Sequence, residues 1–204
     1  MKTIAIIASC DTKLKELSYM KTFIENAGQK VLVIDVSIGL EQPTGYDIPR
    51  EKLIEAAGYK WDDVKTRSKG ELMELAIAGS KKLIPSLYSE GAFDAIISMG
   101  GVQNTSVAVS GMKELPIGVP KVMLSTVASG NRTFDSIVGT SDIVVIPSIA
   151  DIAGVNTITK SVINSAASCI IGMVEHAGKP LNKSDHIIVG TTLMGITNDG
   201  ICSA

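Results

Sequence analysis

The chain has 204 residues, 45% of them hydrophobic, with 19 Lys and Arg against 21 Asp and Glu and a formal net charge of −2 at pH 7. That length supports a substantial core in one large or two small domains, and a balanced charge without a long Lys/Arg run argues against a nucleic-acid or anionic-membrane footprint. Aromatic residues make up 4%, too few for base-stacking platforms, and the longest apolar runs are of strand length, so no bilayer span is expected.

Residues 3–8 (TIAIIA) are apolar and β-branched and predict a first strand, entered directly from Met1 without a signal-peptide pattern. Residues 14–27 carry Leu17, Met20 and Ile24 at helical spacing, with Gly28 as a stop. A second strand is predicted at 31–36, then a turn-rich stretch at 39–50, a short helix at 52–57 and a long amphipathic helix at 69–89 closed by Gly91. The apolar residues 93–98 predict a strand feeding a helix at 105–112, and Pro116-Ile117-Gly118-Val119-Pro120 connects to a strand at 121–125. A strand at 143–146, a helix at 158–175 and a last strand at 187–190 complete the series.

Alternating strands and helices, with strands apolar along their length, predict an α/β fold. Its expected form is an open, mainly parallel Rossmann-like sheet with helices on both faces. Right-handed crossovers bring the C-terminal ends of such strands to one edge, where ligands of open α/β sheets bind. The expected organisation is a nucleotide-binding α/β domain over residues 1–182, followed over 183–204 by the start of a second domain or an edge segment.

The segments read as following those strands are chemically alike. They are Ser9-Cys10-Asp11-Thr12-Lys13; Asp35 and Ser37; Ser98-Met99-Gly100-Gly101-Val102-Gln103-Asn104-Thr105-Ser106; Ser125-Thr126-Val127-Ala128-Ser129-Gly130 with Gly139-Thr140-Ser141-Asp142; and Pro147-Ser148 through Asn156. The glycine pair between a strand and a helix is the most informative of these. Glycines admit a ligand to the backbone, a helix N-terminus favours an anion, and hydroxyls add donors. Each loop also has a plain reading as a cap or a turn, with Asp11 and Thr12 capping the next helix and Lys13 solvated. A phosphate-bearing ligand is the reading that uses them all.

Other chemistries lack their motifs. There is no G-x-x-x-x-G-K-[ST] run, no G-x-G-x-x-G in the first turn and no G-x-S-x-G elbow. Cys10, Cys169 and Cys202 form no C-x-x-C pair, and His176 and His186 sit in no Cys/His/carboxylate cluster. Neither a disulfide framework nor a structural zinc is expected, and a reducing, cytoplasmic setting is.

Taken in order, these loops, with Val33-Ile34-Asp35-Val36-Ser37 and Leu115-Pro116-Ile117-Gly118-Val119-Pro120-Lys121, resemble the Tm-1-like ATP-binding protein family over nearly the whole chain. The resemblance implies an N-terminal α/β domain that binds ATP, in proteins about twice this length that carry a second α/β domain. On that reading, Asp11, Thr12, Lys13 and the segment Gly100, Gly101, Gln103, Asn104, Thr105 and Ser106 hold phosphates. Asp35, with Ser37, reaches a ribose hydroxyl by analogy with acidic residues in other α/β sheets, and Thr126, Ser129, Gly130, Gly139, Thr140, Ser141 and Asp142 complete the cleft. Magnesium accompanies the nucleotide without a specified protein ligand. Two other functions compete: an enzyme acting on a small phosphorylated or carbonyl metabolite, and a non-catalytic interaction subunit. The apolar stretch 187–201 points to a homo-oligomer, or to a complex with a separately encoded second half.

Overall fold

The computed structural model describes residues 1–128 and 138–178. The expected strand at 187–190, and with it the whole of the proposed second-domain segment 183–204, lies outside the described residues. Five parallel strands, β1 (Thr3–Ala8), β2 (Lys30–Asp35), β3 (Ala95–Gly100), β4 (Lys121–Ser125) and β5 (Val144–Pro147), lie in the order β2-β1-β3-β4-β5. Around them run α1 (Leu14–Asn26), α2 (Arg50–Ala56), α3 (Trp61–Val64), α4 (Lys69–Ser89), α5 (Val102–Met112) and α6 (Thr157–His176). This is the α/β, Rossmann-like architecture that the alternation predicts.

Burial of both sheet faces explains why β1 reads as continuously apolar. Ile4, Ile6 and Ala8 pack with Leu17, Met20 and Ile24 of α1 and Ile163, Ala167 and Ile170 of α6. Ala5 and Ile7 face the opposite layer, against residues of α2, α4 and α5. Ile4, Ile6 and Ile7 are all fully buried, and each such side chain contributes about 1.5–3 kcal/mol of transfer free energy.

α6 has twenty residues and a mean hydropathy of 1.3 over its most apolar window, enough by length and composition to cross a membrane. No such segment was expected from the sequence. Here it is a core helix whose Val162, Ile163, Ala166, Ala167, Ile170 and Val174 are buried in the layer it shares with α1.

Two departures from the pattern matter most for the site. The short helix α3 is unanticipated, and it forms because Trp61 and Val64 are both buried in one core. α5 starts at Val102, not at Thr105, because Gly101 takes the N-cap position in extended backbone (φ −85°, ψ −163°). That shift moves every residue of the glycine loop relative to the helix end.

Candidate functional site

The strand order sets the location. From β1 the chain crosses to β2 on one side, and from β3 it crosses to β4 on the other, so the connections diverge between β1 and β3. At such a switch point the loops part and leave a crevice outside the strands' C-terminal ends.

Asn104 organises this crevice. Its Nδ2 donates to Ser98 Oγ at 2.8 Å and to the Met99 carbonyl at 2.7 Å, and its Oδ1 accepts from Ser9 Oγ at 3.3 Å. Gly100 makes room for it: a Cβ there would stand 2.7 Å from Asn104 Cβ, and φ is 157°. At Gly101 the nearest atom to an added Cβ is Thr126 Oγ1 at 3.6 Å, an ordinary contact. No side chain caps α5 at Gly101, so the first amides of that helix keep their affinity for an anion. The helices α4 and α6, by contrast, are closed by reciprocal capping boxes at Ser68 and Asn156.

Beside the α5 start opens a cleft of about 380 Å³, lined by Ser9, Asp11, Thr12 and Gln103 together with Lys65, Thr66, Arg67 and Lys69. Ile38, Gly39, Leu40 and Leu72 supply the rest of its wall. Asp11 Oδ1 is a buried oxygen without a hydrogen-bond partner. Its sister oxygen lies 2.5 Å from where a Cβ of Gly39 would be. Asp11 does not cap α1, whose N-cap is Lys13 with no side-chain bond.

Asp11, Thr12, Gly101 and Gln103 thus stand at the cleft or beside it, with Thr126 across from Gly101. Several other expected ligands are placed elsewhere. The Lys13 ammonium donates to the Ile152 carbonyl, and Glu16 Oε1 accepts from the Gly154 amide at 2.5 Å, so this lysine ties the β5–α6 loop to α1. Asp35 is 0% exposed. It accepts from the Cys10 amide at 3.1 Å, the Ser37 amide at 3.0 Å and Ser37 Oγ at 2.6 Å, bracing the ends of β1 and β2. Burial raises its pKa, and the Ser37 and Cys10 hydrogen bonds oppose that. A carboxylate enclosed in this way is not open to a ribose, which corrects the roles expected for Asp35 and Ser37.

Thr105 lies in the second turn of α5, 1% exposed, with Oγ1 2.8 Å from Ser125 Oγ, and the half-buried Ser106 follows it in the same turn. Both were expected at the helix start, and the earlier onset of α5 removes them from it. Gly139, Thr140, Ser141 and Asp142 precede β5 and therefore lie at the sheet's N-terminal edge, opposite the cleft. Asp142 there accepts from Lys121 Nζ and from the Gly118 amide, each at 2.8 Å. Ser129 and Gly130 lie outside the described residues.

The basic segment Lys65, Arg67 and Lys69 was not singled out from the sequence, although three cations in five residues before a helix is a legible signal. It became part of the cleft only through α3, which turns the chain back over the loop after β2. Among the described residues, no group of three or more His, Cys, Asp or Glu side chains is arranged to hold a metal ion.

A parallel α/β domain with an open helix N-terminus at its switch point is the class that fold and cleft define. The chain belongs to the family described as uncharacterised protein family (UPF0261) N-terminal domain, whose model matches residues 2–179. It is 35% identical over 201 residues to a UPF0261 protein of Clostridium tetani, covering 98% of this chain and 49% of that one. A UPF0261 protein of Rhizobium meliloti is 32% identical over 203 residues, covering 97% and 48%. The ToMV resistance protein Tm-1 of Solanum lycopersicum is 31% identical over 215 residues, covering 94% of this chain and 28% of its own length. The Tm-1 proteins are thus among the relatives, and UPF0261 is the family label. The chain spans about half the length of the bacterial relatives.

Proposed function

We propose that the cleft at the β1/β3 switch point binds a phosphate-bearing nucleotide, with ATP as the ligand that the resemblance to Tm-1-like proteins implies. The uncapped N-terminus of α5 beside Gly101 carries this reading. It offers amides and a positive dipole end to an anion, at a position where no Cβ obstructs approach. The residues present fit such a group. Gln103 and Thr12 line the cleft as donors, and the unpartnered Asp11 Oδ1 accepts from a hydroxyl or amine. A bound nucleotide would supply its phosphoryl groups, and the chain's own part is to hold and orient them. Thermal unfolding with ATP, ADP, AMP and NAD, with and without magnesium, tests this. Ligand at 100 times its Kd adds about 2.7 kcal/mol of stability, and no shift with any adenine nucleotide would overturn the reading.

A separate observation favours an additional role in association. Leu40 and Ile149 are each 74% exposed and Val102 is 53% exposed, all at the sheet's C-terminal edge. Ile149 is also held at φ 65°, a costly conformation for a β-branched residue. An apolar rim of this kind suits burial against a second copy of the chain. Sedimentation velocity at micromolar concentration should show a dimer that Ile149→Asp weakens, and a monomer throughout would refute it.

A further inference from the structure

Resting on the nucleotide reading, we propose that Arg67 and Lys69 form a second phosphate-binding wall, so that the cleft selects nucleoside polyphosphates over monophosphates. Both residues line the same cleft as Asp11, Thr12 and Gln103. Among the described residues neither has a carboxylate within ion-pair distance. Their neighbour Lys65 is already engaged, with Nζ 2.7 Å from Asp62 Oδ1. The Lys2, Lys52 and Lys121 ammonium groups are likewise paired at 2.8–2.9 Å. Of the three cations that line the cleft, Arg67 and Lys69 are thus the two without an ion-pair partner.

The segment that carries them has a defined shape. The Arg67 amide donates to the Val64 carbonyl at 2.8 Å, and Ser68, between the two cations, caps α4. Ser68 Oγ lies 2.6 Å from Glu71 Oε2, so that acidic side chain is engaged with Ser68. The Arg67 guanidinium lies over the Tyr59 ring, 5.1 Å from its centroid. This stacking limits the conformations it must lose on meeting an anion. Among the described residues, Asp11 is the only carboxylate lining the cleft, and it repels phosphate. The arrangement favours a ligand with a hydrogen-bond donor toward Asp11 and a chain of negative charge reaching toward Arg67 and Lys69. A monophosphate held at the α5 start has no second phosphate to offer them.

Isothermal titration of the chain with AMP, ADP, ATP and inorganic triphosphate tests this, using wild type and the double variant Arg67→Gln/Lys69→Gln. Both residues are exposed, so folding should be retained, as circular dichroism would verify. The expected wild-type affinities rise from AMP to ADP to ATP and weaken with salt. The double variant should lose about tenfold or more for ATP, the scale of a charge-assisted contact, while AMP changes little. Arg67→Lys, which keeps the charge without the planar fork, should recover part of the loss relative to Arg67→Gln. An unchanged ATP-to-AMP ratio in the double variant would make residues 65–69 a solvated face and overturn the inference while leaving the nucleotide site in place. A wild-type chain that binds none of the four would overturn both.

Discussion

Ser9 donates its hydroxyl to Asn104 Oδ1 at 3.3 Å, joining the loop after β1 to the first turn of α5 across the point where the sheet's connections diverge. The other end of the same amide is spent on Ser98 Oγ and the Met99 carbonyl. Asn104 therefore shapes the cleft from behind. Asn104→Ala leaves the buried Met99 carbonyl without this donor and should cost about 1–3 kcal/mol in a denaturant titration. Asn104→Asp sets an acceptor against that carbonyl and should cost more.

The two glycines of this loop should separate folding from binding. Gly100→Ala places a Cβ 2.7 Å from Asn104 Cβ and is expected to destabilise by about 1–3 kcal/mol. Gly101→Ala meets only an ordinary contact at 3.6 Å and should change stability by no more than about 0.5 kcal/mol. Gly101→Val should leave a folded protein whose nucleotide-induced thermal shift is lost, because the side chain takes the space a phosphate needs. A retained shift would move the site away from Gly101.

Asp142 and Lys121 give the fold a pH dependence at the edge away from the cleft. Burial alone would raise the Asp142 pKa, but the Lys121 ammonium and the Gly118 amide overcome it and hold the carboxyl below its ordinary 3.8. Between the depressed value and 3.8, the unfolded chain binds more protons than the native one. The stabilisation is therefore present above about pH 4 and fades as the pH falls through the depressed pKa. Lys121 is 1% exposed while the Asp142 side chain is 36% exposed, so solvent screens part of the pair. Asp142→Asn should cost about 1–3 kcal/mol near neutrality, less than a fully buried pair. It should flatten the acid limb of a stability–pH curve and leave nucleotide affinity unchanged.

Cys10 should be inert in the folded protein. Burial, reinforced by the nearby Asp35, pushes its thiol far above the ordinary range, and it is 2% exposed. Alkylation at pH 8 followed by peptide mapping should leave Cys10 unmodified until denaturant is added, and rapid native labelling would contradict this.

Much of this architecture is legible from the residues alone. The uninterrupted TIAIIA and VLVID runs announce strands covered on both faces, and the spacing of Leu17, Met20 and Ile24 announces α1. The glycine pair at the end of β3 marks the switch-point edge of the sheet, because strand, glycine and helix follow one another directly in sequence. Local pattern carries that kind of information. It does not carry the neighbour a side chain meets, so Asp35 and Ser37 could look like ligands when they are a buried brace.

Tertiary structure decided the rest, since it alone brings distant segments to the same edge or to opposite edges. Gly139 to Asp142 follow β4 in sequence, yet they immediately precede β5, which puts the Asp142 carboxylate beside Lys121. Lys13 faces the crevice by position, yet its ammonium is taken by a carbonyl 139 residues further along the chain. Lys65, Arg67 and Lys69 carry no motif in sequence, and they join the cleft because α3 and the turn after it bring them to the loop that follows β2. The sequence determined the elements and their periodicity because hydrophobic burial acts on neighbouring residues along the chain. The composition of the cleft depended on contacts tens of residues apart, and only the assembled sheet sets those.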